Sequence, residues 1–403
     1  MKVIVPLFAS LVVLTSATVD CSSTPLAATA TSEGVTTTTA ATVPVETRDD
    51  LRDHLRELLL DRATWTRLYI IDVVGRTPAA AASSDRLVRN ERAIGRAIAP
   101  FYGEAASLQL SGLLQDESRA ARDAVGAAML NDRSRYDRAK AHWYTTSDRV
   151  ASFFALESPY LSADGLGLAL RAWVNDDIGQ AASRVAGDWA KDAADADGSS
   201  GQALAVADIL TGGIVQQFRG QLRPARRDAR AESLHLVMRD LLYARSSLIH
   251  EYVVESIAGM PSAETTMNRL QQIETDFGKP LAFFYGGAFG DRVSSTLRPG
   301  LDDARSMVNG ARQGDATAQA AAKAAWYENA DSVAAVFAQK NPRWSRRDLA
   351  YLFRSSVDDV ARDVETRAAS DWTLNVYAAD AMRRDGTRIA DVLSDGVIAQ
   401  LAL

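Results

Sequence analysis

Along most of the chain, apolar positions recur at steps of three and four. Leu51, Leu55, Leu58, Arg62, Trp65 and Tyr69 fall on one helical face, and Leu234, Met238, Leu241, Arg245, Leu248 and Tyr252 form a second such face. A further stripe runs through Leu110, Leu114, Glu117, Ala121, Ala124 and Ala128, and another through Val293, Leu297, Gly300, Ala304, Met307 and Ala311. This spacing is that of amphipathic helices turned toward a core. Strand-like alternation of β-branched residues is nearly absent. Ala, Leu, Arg and Glu, all good helix formers, dominate beyond residue 46. The pattern therefore predicts an all-α protein.

Breaks divide the pattern. Thr77-Pro78 and Met260-Pro261 end a first helix, because proline lacks the N–H that a helix interior needs. Gly103 and Gly286 mark a kink after an aromatic pair. Ser158-Pro159 and Asn341-Pro342 precede another helix, with Ser162 and Ser345 as N-caps. The first half then reads as helices over 47–75, 82–130 (kinked near 100–103), 134–157, 162–193 and 200–219. Short connections favour antiparallel neighbours, hence an up-and-down bundle.

The second half repeats the first. From Asp85-Arg-Leu to Asn268-Arg-Leu the offset is 183 residues, and the same offset joins Phe101-Tyr-Gly to Phe284-Tyr-Gly. It joins Trp143-Tyr to Trp326-Tyr, Asp148 to Asp331, Arg171 to Arg354, and Asp188-Trp to Asp371-Trp. A constant offset over so many rare residues points to internal duplication. The expected organisation is two tandem up-and-down bundles, 47–220 and 233–403, joined by a connector over 221–232.

The first 46 residues read differently. Met1-Lys2 precedes an apolar run from Val3 to Leu14. That run is too short to span a bilayer, which takes about 20 residues, but it suits the core of a secretory signal. Cys21 is the only cysteine. Its place behind the apolar run, followed by Ser22-Ser23-Thr24, resembles a bacterial lipoprotein signal, in which that cysteine is acylated. Asp20 departs from the small, uncharged residue usual at that position. Residues 1–21 are thus expected to be a signal with a lipobox-like end. Residues 22–46, rich in Thr, Ala and Ser, are expected to be a tether spanning on the order of 30 Å.

Composition narrows the chemistry. A net charge of −6 on 403 residues argues against a general nucleic-acid binder, which needs a basic face. One cysteine excludes an intrachain disulfide framework and a cysteine-built zinc site. Ferritin-like metal sites need paired Glu-x-x-His motifs. Only Glu232-Ser-Leu-His235 has that spacing, and His54, His142, His235 and His250 never match at the repeat offset. Surface histidines are the expectation, with no metal and no cofactor. Gly165-Leu-Gly167 lies in a helical run without a preceding strand, so it is no dinucleotide turn. No P-loop or Gly-x-Ser-x-Gly elbow is present.

Arg62 and Arg245 interrupt apolar stripes at equivalent positions, and a buried guanidinium needs a partner. Glu117 is the partner candidate for Arg62. Its counterpart in the second unit is Gly300, so Asp391 (copy of Asp208) or Asp331 (copy of Asp148) is expected to serve Arg245. An interior polar pocket for an anion or polar ligand competes with a structural ion pair that fixes helix register, and with an arginine reaching out to water.

Several short motifs resemble those of bacterial tandem-repeat helical-bundle proteins with a lipoprotein-like signal. They are Trp-Thr-Arg at 65–67, Phe-Tyr-Gly at 101–103 and 284–286, Trp-Tyr-Glu-Asn-Ala-Asp at 326–331, Asn-Pro-Arg-Trp at 341–344, and Ala-Asp-x-Leu at 207–210 and 390–393. The resemblance implies an all-helical bundle and names no activity. It also implies histidines on inward helix faces, where this chain has Arg62 and Glu117. The expected function is an exported, non-catalytic binding or scaffold module of the cell envelope, either a lipoprotein held at the membrane through Cys21 or a protein secreted after cleavage behind Thr15-Ser16-Ala17, with an envelope protein or small ligand as its partner. The alternative is an enzyme or metal-binding bundle using interior polar residues.

Overall fold

Eight of the twelve helices begin where a short polar side chain meets the free N–H groups of a first turn. Thr47 and Asp50 form a reciprocal capping box at the start of α1 (Arg48–Val74). Asp132 caps α3 (Arg133–Glu157), Ser162 caps α4 (Ala163–Ala186) and Asp188 caps α5 (Trp189–Gln217). Between α1 and α3 lies α2 (Ala80–Met129). Asp228 caps α6 (Ala229–Ile257). Then come α7 (Ala263–Tyr285), α8 (Gly287–Leu297) and α9 (Pro299–Gln313). Asp315, Ser345 and Asp371 cap α10 (Ala316–Lys340), α11 (Arg346–Ala368) and α12 (Trp372–Leu401). This computed structural model describes residues 47–402. The all-α expectation holds: no strand forms among the described residues, only one isolated bridge between Thr47 and Arg223. The signal, Cys21 and the tether lie outside the described residues.

Two sequence expectations need correction. The stretch 82–130 is not a kinked rod. Gly103 takes φ +87°, open to glycine without strain, and the chain reverses there. The two arms of α2 then pack against each other: Ser118 reaches back to Glu91, and a side chain on Gly95 would meet the Ser107 carbonyl at 2.5 Å. Gly286 (φ +90°) turns the chain between α7 and α8, and Gly278 lies as close to the Gly290 carbonyl. The second correction concerns 162–193. Helix α4 stops at Ala186 because Gly187, at φ +74°, makes a left-handed cap and Asp188 starts α5 at once. The run Asp197-Gly-Ser-Ser, which reads as a break, lies inside α5. Its small residues fit against α4: a side chain on Gly198 would strike the Asp176 carboxylate, and Ser199 donates a hydrogen bond to Asp177 at 2.6 Å.

Apolar residues of α1 to α5, among them Leu55, Leu110, Phe154 and Leu210, share one core. Those of α6 to α12 form two more, around Phe277, Phe337 and Leu393 and around Leu270, Met307 and Val360. A further cluster joins Trp65, Leu68 and Leu87 to Val254, Val376 and Ala379. Helices α1 and α6 run side by side in the same direction. Their contacts step along both together: Arg52 to Glu232, Asp53 to His235, Arg56 to Asp240, Asp61 to Tyr243, Arg67 to Glu251. Helix α1 is consequently buried on nearly every side, although its sequence is amphipathic.

Candidate functional site

A buried polar cluster grows from α1. Arg62 is buried, and its two terminal nitrogens divide between carboxylates from both arms of α2. Nη2 donates to Glu117 Oε2 at 2.8 Å and Nη1 to Glu91 Oε1 at 3.2 Å. Ser118 Oγ donates to Glu91. Burial pushes both carboxyls above the usual range, and the Arg62 charge only partly offsets it. Alongside, α4 supplies Asp177, whose Oδ1 accepts from Ser199 at 2.6 Å and from Gln180 at 3.1 Å. Trp173 Nε1 in turn donates to Ser199 at 2.9 Å. Burial pushes Asp177 up to about 7, against the pull of Ser199 and Arg62. Arg62, Glu117, Asp177, Trp143 and Trp173 border a cavity of about 30 Å³ whose remaining walls are apolar. One guanidinium thus faces three carboxyl groups.

Of the residues singled out from sequence, the structure brings together Arg62 and Glu117. Arg245 does not meet Asp331 or Asp391. Its Nε donates to Glu274 at 2.8 Å, and Glu274 is fully buried. Asp148 and Asp331 instead bind Arg171 and Arg354 near the surface, where α3 meets α4 and α10 meets α11. Asp208 takes Arg56 and Asp391 takes Arg239, both at 2.6 Å. These four aspartates sit on outward or seam-facing sides of their helices, too far round to reach a core arginine. At the Glu117-equivalent position, Gly300 leaves space that the Trp326 indole nitrogen fills; a side chain there would lie 2.7 Å from it.

The histidine expectation is half wrong. His54 and His142 are exposed, but His235 and His250 are buried on α6. His235 Nε2 lies 2.9 Å from Asp53, and His250 Nδ1 lies 2.9 Å from Asp363. Both were misplaced because α6, like α1, has no solvent side in its middle. Glu232 binds Arg52 and Arg227 rather than pairing with His235. Among the described residues no three His, Cys, Asp or Glu side chains are grouped to hold a metal ion.

A second polar feature has no single-helix signal. It is a seam of ion pairs between α1–α5 and α6–α12. Arg67 grips Glu251 through Nε and Nη2 at 2.7 and 2.6 Å while Nη1 holds Asp192 at 3.0 Å. Arg184 meets Glu255, and Arg367 meets Asp72 at 2.9 Å, all four buried. Arg86 and Arg383 both lie over the Trp65 ring, 5.3 and 5.0 Å from its centre, and both bind Asp61 and Asp380. Such stacking favours a guanidinium over an ammonium. Burial raises Asp240 to about 6 despite its 2.7 Å contact with Arg56. Comparison of the chain with protein-family models, with curated proteins and with solved structures finds no match.

Proposed function

We propose that this chain is an exported protein, tethered to a membrane through an acylated Cys21, in which a duplicated pair of helical bundles acts as a non-catalytic binding or scaffold module of the cell envelope. The observation that carries the non-catalytic reading is the closure of the interior. Arg62 is spent on two carboxylates, and the space beside it is about 30 Å³, far below the roughly 300–1,000 Å³ of pockets that take small organic ligands. There is room for a water or two there, not for a substrate.

Duplication is supported by contacts that recur at the offset of 183. Arg62–Glu91 is matched by Arg245–Glu274, Tyr102–Gln217 by Tyr285–Gln400, and Asp148–Arg171 by Asp331–Arg354. Across the seam the matches are reciprocal. Arg184–Glu255 answers Arg367–Asp72, and Arg86–Asp380 answers Arg269–Asp197. Reciprocity of this kind is what a two-fold dimer interface has, so the seam fits an ancestral homodimer whose chains became one.

The test is intact-mass analysis of native protein extracted from its host, with fractionation of a Cys21→Ala variant. An acyl mass on Cys21 and release of the variant from membranes are expected. An unacylated, freely secreted wild type refutes the anchor. A retained stoichiometric metal or small molecule refutes the closed interior.

A further inference from the structure

The two ends of the helix array differ in chemistry. One end, hereafter the tip, gathers the starts of α1, α4, α6 and α11 and the ends of α3, α5, α10 and α12. Hydrogen bonds tie it together: Gln217 of α5 donates to the Glu157 carbonyl of α3 at 3.0 Å, Asn341 to the Gly396 carbonyl of α12 at 2.8 Å, and the Arg48 amide to Arg223 at 3.2 Å. Five large apolar side chains among the described residues are more than 70% exposed, and four stand at or near the tip: Leu156 (86%), Phe283 (74%), Leu168 (73%) and Tyr351 (71%). Leu168 and Tyr351 occupy equivalent places on α4 and α11. Single exposed apolar side chains are ordinary on a protein surface, but their concentration makes the tip the more apolar of the two ends.

Charge sorts the same way. On a chain of net charge −6, two of the tip connections are basic, whereas the α3–α4 connection holds Glu157 and Asp164 and no base. Lys340, Arg343, Arg346 and Arg347 succeed one another without an acid between them, and Arg219, Arg223 and Arg226 line the α5–α6 connection. All seven are exposed, and two have an acid beside them, Arg226 with Asp50 and Arg347 with Asp348. The opposite end carries an aspartate cap at each of the starts of α3, α5, α10 and α12, against one at the tip, Asp228 of α6. The tip is also where the chain enters the folded unit, at Thr47, with 46 residues before it.

We infer that the tip docks on an anionic lipid bilayer, its leucine and aromatic side chains at the headgroup–acyl boundary and its arginines on lipid phosphates. No helix among the described residues is long and apolar enough to cross a membrane, so the contact is interfacial. Basic residues are drawn to an anionic leaflet, and aromatic side chains favour that boundary. Docking rests on the membrane-tethered reading above and adds an orientation: helices upright on the bilayer, aspartate-capped end outward.

The experiment uses the full chain in a Cys21→Ser background, with one environment-sensitive fluorophore on Leu168→Cys at the tip or on Leu374→Cys at the opposite end. Vesicles are phosphatidylcholine, alone or mixed with phosphatidylglycerol. The label at 168 should brighten only with phosphatidylglycerol, be quenched by spin-labelled acyl chains and return to baseline in high salt; the label at 374 should not respond. Reversing Arg343, Arg346 and Arg347 to Glu should weaken the response at 168 by about tenfold or more. Their side chains are exposed, so helical content should not change. No response at 168 on phosphatidylglycerol vesicles overturns docking and, because the Cys21→Ser chain lacks the acylation site, leaves the anchor standing. A response at 168 in a protein that is unacylated in its host sinks the anchor and leaves docking standing. Equal responses at both labels, or a response only to an envelope protein extract, overturn docking.

Discussion

Replacing Arg62 by methionine removes the guanidinium that the buried carboxylates of Glu91 and Glu117 share. Glu91 and Glu117 would then face each other, with Asp177 beyond, in a space that water barely enters. Breaking a buried pair by deleting one partner typically costs about 3–5 kcal/mol, and Arg62→Met should fall at the top of that range because two acids lose their partner. Arg245→Met is the matched control. Arg245 is less buried and faces Glu274 alone, so about 1–3 kcal/mol is expected. Charge sets a second expectation. Both glutamates already titrate above their ordinary values in the folded chain, and without Arg62 they should climb further. An acid whose folded value exceeds its unfolded one loses stability as pH rises. The cost of Arg62→Met should therefore be greatest at pH 8 and shrink toward pH 5, where the carboxyls are protonated. Adding Glu117→Leu should recover part of the loss, since Glu91 stays unpaired. Adding Glu91→Gln as well, which keeps an acceptor for Ser118, should bring stability to within about 1–2 kcal/mol of wild type. Urea unfolding followed by far-ultraviolet circular dichroism at several pH values reads all of this. A loss no larger than that of Arg245→Met, or one that grows on acidification, would refute the account.

Asp177, held at about 7 in the folded chain, binds a proton there that the unfolded chain releases near 3.8. Stability should fall as pH rises between those values, and Asp177→Asn, which keeps the acceptor for Ser199, should flatten that slope and stabilise the protein at pH 8 by up to about 4 kcal/mol; an unchanged slope in pH-dependent melts would count against it. Segments 47–220 and 221–403, produced as separate chains, should associate through the seam, and Arg184→Met with Arg367→Met should weaken the complex at least tenfold, by about 1.4 kcal/mol or more; failure to co-purify would show that the seam needs the covalent link. Gly95→Ala should destabilise by about 1–3 kcal/mol, because its methyl group would press on Ser111 and the Ser107 carbonyl, whereas Gly112→Ala, with open space around it, should be neutral or stabilising. Equal melting temperatures for the two variants would mean that the arms of α2 can part.

Helix type and most helix limits were legible because they depend on local causes: spacing of apolar residues, a capping side chain, a proline. What eluded sequence reading depends on partners. The stripe through Leu51, Leu55 and Arg62 marks the side of α1 that faces its own core, and the reading assumes that the remaining sides face water. Arg56, Asp61 and Arg67 look solvated on that assumption. They are instead the side that meets α6, and nothing local distinguishes a charged face in water from one neutralised by another charged face. The same blindness put His235 and His250 on the surface. Glu274 is a different case. It stands 183 residues after Glu91, the same offset that separates Arg62 from Arg245, but Arg89-Asn90-Glu91-Arg92 has the composition of a solvated polar patch, and only the packing of α2 on α1 brings its acid to Arg62.

That difference has a physical consequence for the seam. Its reciprocal pairs add to the apolar contact of Trp65, Leu68 and Leu87 with Val254, Val376 and Ala379, and oppositely charged partners must both be present or each becomes a buried, unpaired charge. Arg184, Asp72, Glu255 and Arg367 are buried at once, so losing any one strands its partner. A seam built this way tolerates little sliding, because a shift of one helical turn would set Arg67 against a new neighbour in place of Glu251. It therefore holds the two halves in one register with their starts at the same end, and with them the exposed leucine, aromatic and arginine side chains of the tip. A structural role for the buried charges and the proposed interaction role for the exposed end are in this sense linked: halves free to slip would not keep Leu168 and Tyr351 at the same end of the molecule.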